Sequence, residues 1–219
     1  MPNCLKRVQA VRDYRKESSR ESTRRLADKP TRFQTENMPH GNYIVIPEVS
    51  SERRRYVPIG YMDDSVLCSN KLRLMPDASL YHFGILTSNV HMAWMRAVCG
   101  RLKSDYSYSV NIVFNNFPWP TPTPAQQAKI ESTAQAILDA RALYPDSSLA
   151  DLYDDVTMPS ELRTAHQRND RAVMEAYGMP IKGTTESSCV AELIRRYQEQ
   201  TSNNSKKARS TSGYRPNDF

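Results

Sequence analysis

The sequence predicts an α+β protein: a small mixed sheet with flanking helices, then a C-terminal helical bundle and a disordered tail. Three observations predict it. Short runs between Tyr43 and Met75 are β-rich, with period-two patterning. From Pro124 to Gln200 the apolar period becomes helical. Between them, Asn115 to Pro124 is punctuated by prolines and reads as a stiff linker. The boundary therefore falls at Pro120, giving a domain over 1–120, a helical domain over 121–200 and a tail over 201–219.

The elements follow in order. Residues 4–26 read as one helix, with Leu5, Val8, Val11 and Tyr14 along one side and Lys6, Arg7, Arg12, Arg15, Lys16, Arg20, Arg24 and Arg25 elsewhere. Such a helix suits either a DNA backbone or a connector to an upstream domain. Residues 28–42 form a loop around Pro30, Pro39 and Gly41. Strands are expected at Tyr43–Ile46, Tyr56–Tyr61, Ser65–Cys68 and Leu72–Met75, the second at an edge because it contains Pro58. A helical stretch follows Ser79, with Val90, Trp94, Ala97 and Val98 on one face, Ser88 or Asn89 as an internal cap and Gly100 as the stop. Val110–Phe114 is β-branched and aromatic, hence a further strand. Thr123, Pro124 and Gln126 form a capping box for a helix with Ile130, Ala134, Ile137 and Leu138 on its buried stripe. Two more helices start at Pro159 and Glu186.

Composition narrows the function classes. The chain has 219 residues, 39% apolar and 25% charged, with no apolar run long enough to span a membrane and no apolar leader. Four scattered cysteines, with no CxxC, read as reduced thiols in a cytoplasmic protein. The net charge of +6 is uneven: +6 over residues 1–32, +1 over 33–120, −4 over 121–200 and +3 over the tail. A basic face attracts phosphate, though a solvated helix surface carries the same charge.

Catalytic constellations are missing from the sequence. The seven glycines never form GxG, and neither GxSxG nor HExxH occurs. His82 and His91 lack partners at helical spacing and read as structural. The pairs Asp63-Asp64 and Asp154-Asp155 read as turn or surface acids. What remains is readout chemistry. Lys103 and Asp105 flank Ser104 in a polar segment where residues two apart point the same way. A lysine donates to guanine O6 and N7, and an aspartate accepts from cytosine N4, at ~1–3 kcal/mol of discrimination per good contact. The structural alternative is an exposed ion pair worth ~0–1 kcal/mol.

The runs Val49-Ser50-Ser51-Glu52-Arg53-Arg54, Tyr56-Val57-Pro58-Ile59-Gly60, Leu80 to Arg96, Gly100 to Tyr106 and Asn115-Asn116-Phe117-Pro118-Trp119-Pro120 carry a resemblance. They are similar to the target-recognition domain of the MmeI-like, type IIL adenine-specific DNA methyltransferases of restriction-modification. Ala140 to Pro145 and Ala150 to Asp154 resemble that family's C-terminal domain. The resemblance implies a sequence-specific DNA recognition module of an S-adenosylmethionine-dependent N6-adenine methyltransferase. The nuclease motif, cofactor glycines and catalytic Pro-Pro loop lie upstream in the family and are absent from this sequence. The chain is therefore expected to bind no cofactor, to be inactive alone, and to partner double-stranded DNA and an upstream methyltransferase domain or subunit. The alternative is a structural or interaction fragment that binds DNA only with a separate catalytic subunit. An autonomous enzyme is the third reading.

The resemblance also implies base-reading positions: Glu48 and Asn70 for one base pair, Lys71 and Ser107 for the next, and Lys103 and Asp105 for a third. With Glu48 accepting from cytosine and Lys71 donating to guanine, the expected core is C-G-A-G, the adenine being the target. Arg53, Arg54, Arg55 and Arg101 are assigned to phosphates, which position without specifying.

Overall fold

A proline in the first turn opens helix α1 (Pro2–Lys16), where no N–H is required. The computed structural model describes residues 1–34, 36 and 38–211, with side chains described to residue 202. Two compact units divide the chain, Met1–Met38 and Pro39–Phe219.

In the first unit the single helix expected over 4–26 is broken into α1 and a short α2 (Glu21–Arg24). The break has a local cause. Arg24 Nη1 donates to the carbonyls of Ser18 (2.8 Å) and Ser19 (2.9 Å), and Ser18 Oγ accepts from Arg20 N (3.2 Å). These side chains offer the backbone an alternative to the helical ladder. Arg15 is similarly occupied, donating to the carbonyls of Leu26 (3.1 Å), Lys29 (2.7 Å) and Arg32 (2.6 Å). The expected apolar stripe stays largely in solvent, with Leu5 and Tyr14 both exposed.

The second unit contains two three-stranded sheets, and every pairing in them is antiparallel. The α+β class holds, with two small antiparallel sheets in place of one mixed sheet. The first has the order β3 (Gly60–Met62), β1 (Tyr43–Pro47), β4 (Leu72–Pro76). The second has the order β2 (Val49–Ser50), β6 (Asp105–Ser107), β5 (Gly100–Leu102). The expected edge position beside Pro58 is observed, but the strand itself is only Gly60–Met62. Tyr56, Val57 and Ile59 instead send their side chains into the core from irregular backbone. The strand expected at Ser65–Cys68 is a turn. Asp63 Oδ1 accepts from Ser65 N (3.0 Å) and Ser65 Oγ, closing an Asx turn.

The helical stretch after Ser79 is two helices, α3 (Leu80–Leu86) and α4 (Asn89–Val98). Ser88 Oγ accepts from His91 N (3.3 Å) and caps the second. Helix α4 is buried on nearly every side, including His91, Met92 and Met95, whereas Ala97 is exposed. The strand expected at Val110–Phe114 is a π-helical turn. Only Val113 of its five residues is buried, which a half-buried strand would not produce. Trp94 Nε1 donates to Val113 O (2.9 Å), and Asn116 Nδ2 donates to Asn111 O (3.0 Å) and Ile112 O (3.2 Å), satisfying carbonyls that the turn leaves open.

Four helices complete the chain: α5 (Pro124–Ala142), α6 (Leu149–Leu152), α7 (Ser160–Ala176) and α8 (Glu186–Thr211). The Thr123–Gln126 capping box is present. Helix α6, which periodicity did not reveal, has its own box from Ser148 and Asp151. Helix α8 runs past Gln200 to Thr211, and residues 212–219 of the expected disordered tail lie outside the described residues.

The proline segment packs into the protein. Phe117 is buried, and Tyr177 Oη donates to Pro118 O (2.9 Å). One apolar cluster therefore includes Ile44, Phe83 and Trp94 together with Ile130, Leu162 and Leu193. Gly84 permits the closest approach within it. A Cβ there would meet Ile130 Cγ2 at 2.7 Å and Asn169 Oδ1 at 3.1 Å, and Gly84 O accepts from Asn169 Nδ2 (2.7 Å).

Candidate nucleic-acid interface

Glu48 is the junction between the two sheets. Its backbone N–H donates to Lys71 O (3.0 Å), and its carbonyl accepts from Tyr108 N (2.8 Å). Residues 70–71 therefore lie on one side of Glu48, and strand β6 on the other. Beyond it the register sets Val49 opposite Ser107 and Ser50 opposite Tyr106. In the β5–β6 hairpin, Arg101 faces Tyr106 and Leu102 faces Asp105.

Directly opposed residues share a face of an antiparallel pair, and successive residues alternate. Ser50 and Tyr106 are buried, so their face is the inner one. Val49, Leu102, Asp105 and Ser107 consequently share the outer face. The tip residue Lys103 has φ +56°, in the left-handed region. A two-residue hairpin turn needs positive φ at such a position and ordinarily takes glycine or asparagine there.

The fold thus links residues 70–71, Glu48 and strand β6 by successive backbone hydrogen bonds, with Ser107 and Asp105 on the outer face of the second sheet and Lys103 at the hairpin tip. Their electrostatic states differ. Glu48 is engaged with Arg73 (3.2 Å) and Lys71 (3.7 Å). The side chains of Lys103 and Asp105 have no hydrogen-bond or ion-pair partner among the described residues. The exposed ion pair that was their structural alternative does not form. Arg73 was missed by the sequence reading; the signal was a lone cation inside the apolar strand LRLMP.

The expected phosphate residues lie elsewhere. Arg101 is on the inner face, 4.2 Å over the Tyr106 ring, with Nη1 donating to Ser104 O (2.9 Å) and Glu52 at 3.9 Å. Arg53, Arg54 and Arg55 follow β2 and line a cleft of about 530 Å³ with Glu52, Arg96, Asp155 and Glu186. In that cleft Arg96 makes a bidentate pair with Glu186 (2.8 and 3.0 Å). Arg55 lies 5.5 Å over the Tyr56 ring, and Arg54 reaches Ala150 O (3.4 Å).

A buried polar network supports this arrangement from behind. Asp170 of α7 accepts from Tyr56 Oη (2.6 Å) and from Asn89 N at the start of α4 (2.8 Å). Burial pushes its carboxyl up to about 6, against the opposing effect of these donors. Tyr56 stacks on His166 (4.2 Å between centroids), whose Nε2 meets Tyr153 Oη (2.7 Å). His91 Nε2 meets Tyr108 Oη (3.0 Å). Burial holds both histidines down to about 3, so they are neutral structural groups. His82 joins the capping box of α3. Among the described residues no group of three metal-ligating side chains occurs, and no helix is long and apolar enough to cross a membrane.

Comparison with known proteins places this geometry in context. Residues 1–121 match the family model "MmeI, target recognition domain", and residues 122–204 match "MmeI, C-terminal domain". DNA methyltransferase A of Bacillus subtilis (strain 168) is 36% identical over 200 residues, covering 91% of this chain and 22% of its own length. The solved structure of the type IIL restriction-modification enzyme MmeI in complex with DNA superposes with a TM-score of 0.82 at 46% identity. That match covers 92% of this chain and 27% of the enzyme. The chain thus spans about a quarter of the length of these relatives.

Proposed function

The chain belongs to the MmeI family, as its target recognition and C-terminal domains, and on that premise we propose that it reads double-stranded DNA for an adenine-specific methyltransferase. The observation that carries this reading is the hairpin tip. Lys103 and Asp105 stand there with unpaired side chains, so a donor and an acceptor are free to meet base edges. Lys103 also holds a backbone conformation that glycine would adopt at less cost, and strain of this kind concentrates at functional sites.

In this reading Glu48 and Asn70 read a C·G pair, Lys71 and Ser107 the following G·C pair, and Lys103 and Asp105 the G·C pair beyond the target adenine. Glu48 exchanges Arg73 and Lys71 for cytosine N4 on binding, and Lys71 is released to guanine. Arg53, Arg54 and Arg55 contact phosphates. Arg101 contributes more weakly, since it is already committed to Tyr106, Ser104 and Glu52.

The parent enzyme's S-adenosylmethionine binds outside this chain. Methyl transfer accordingly requires an upstream catalytic domain or subunit, in a cytoplasmic, bacterial setting.

The test is binding of this chain to duplexes with and without CGAG at two salt concentrations. Tighter binding to CGAG, with the ratio maintained at the higher salt, supports specific reading. Equal affinity at both salts overturns it. Binding only after a catalytic subunit is added favours the interaction-fragment alternative. Methyl transfer by the chain alone would overturn the assignment of catalysis elsewhere.

A further inference from the structure

We propose that Leu102 is an apolar specificity determinant that reads a thymine 5-methyl group at a base pair adjoining the one read by Lys103 and Asp105. This inference rests on the DNA-reading function proposed above and extends it to a position for which the family resemblance supplied no residue.

Leu102 is 57% exposed although it belongs to a strand. That strand, β5, is the edge of its sheet. Solvated edges are ordinarily blunted by charge, and a leucine facing outward there has no protective role. The register puts Leu102 directly opposite Asp105, on the outer face. Val49, 38% exposed, shares that face opposite Ser107. The outer face therefore carries two apolar side chains among its polar readers. A single exposed leucine needs no explanation on its own. A leucine paired across a hairpin with an unpaired acidic reader, and adjacent in sequence to an unpaired basic one, is placed to touch whatever those two touch.

The major-groove edge of DNA presents one apolar group, the thymine C5-methyl, and apolar side chains discriminate by contacting it. Lys103 and Asp105 supply the polar contacts to one pair. Both neighbouring pairs can present that methyl: the pair of the target adenine always does, through its thymine, and the pair outside the core does where it holds thymine. Val49 lies toward Glu48 and Lys71 and belongs to the core.

The experiment replaces thymine by deoxyuridine, which removes the methyl and nothing else. The full chain is titrated with CGAG duplexes carrying T or U opposite the target adenine, or at the adjoining outer pair on either strand in turn, and with a scrambled core as reference. Burying one methyl group corresponds to a roughly three- to four-fold tighter Kd for the T duplex, on one strand only. Leu102→Ala is expected to abolish that difference, and Leu102→Ile to retain it. Equal affinity for T and U at both neighbouring pairs overturns the inference, as does a T preference that survives in Leu102→Ala. Loss of discrimination between CGAG and the scrambled core in the unsubstituted protein overturns the DNA-reading proposal itself, so the two failures are separable.

Discussion

Two regions of this protein use the same chemical groups in opposite ways. Around Asp170 a carboxylate, two tyrosine hydroxyls and a histidine are buried, and the carboxylate has a donor on each oxygen. At the β5–β6 hairpin a carboxylate and an ammonium sit two residues apart and remain unpaired, one of them on strained backbone. Burial makes an unpaired charge prohibitively costly, so the interior must satisfy itself. Solvent removes that pressure, and the exposed groups stay available to an external partner. Under the proposed function, supporting and reading fall to separate residues, and substitutions should divide accordingly.

The largest expected effect is of pH on the interior. His91 and His166 have folded-state values near 3 against an ordinary 6.5. Their contribution is present above pH 6.5 and lost as pH falls toward 3, on the order of 5 kcal/mol each. Asp170 acts with the opposite sign. Its folded value of about 6 exceeds the ordinary 3.8, so its contribution is complete below 3.8 and lost as pH rises through 6, on the order of 3 kcal/mol. Urea unfolding from pH 7 to pH 4 should show a net fall in stability, steeper in Asp170→Asn because the opposing titration is gone. A flat profile would break the contrast by showing that these groups are hydrated.

Removing the carboxylate outright comes next. Asp170→Ala strands two buried donors, Tyr56 Oη and Asn89 N, and should cost about 3 kcal/mol in chemical denaturation at neutral pH. Overpacking Gly84 with alanine should cost about 1–3 kcal/mol, since Ile130 and Asn169 must move; unchanged stability would show that the helix crossing yields.

At the hairpin the effects should appear in binding. Lys103→Glu with Asp105→Arg, made in a fusion with the catalytic half, should move sequence preference at one base pair by ~1–3 kcal/mol while altering stability by less than ~0.5 kcal/mol. A uniform loss of affinity at every position would mark these residues as structural. The smallest effect sharpens the contrast most. Lys103→Gly relieves the left-handed strain, so thermal unfolding should show unchanged or slightly raised stability, by up to about 1 kcal/mol, while base reading at that pair is lost.

Features that depend on near neighbours can be read directly from the order of the residues. The Thr123–Gln126 box, the Ser88 cap, strands β1 and β4, and the three long C-terminal helix starts were all legible because capping and periodicity are local. Family resemblance supplied the base-reading candidates, and charge spacing independently singled out Lys103 and Asp105. The remaining features follow from contacts between residues far apart in the chain. Val110–Phe114 has strand composition, but the contacts from Trp94 and Asn116 hold it as a π-helical turn. Tyr56 and Ile59 contribute core side chains without a strand because Asp170 and the apolar cluster hold them from a distance. The outward face of Leu102 depends on antiparallel register, which a one-residue slip would reverse. Pairing across long sequence separations sets these outcomes, and no local pattern encodes it.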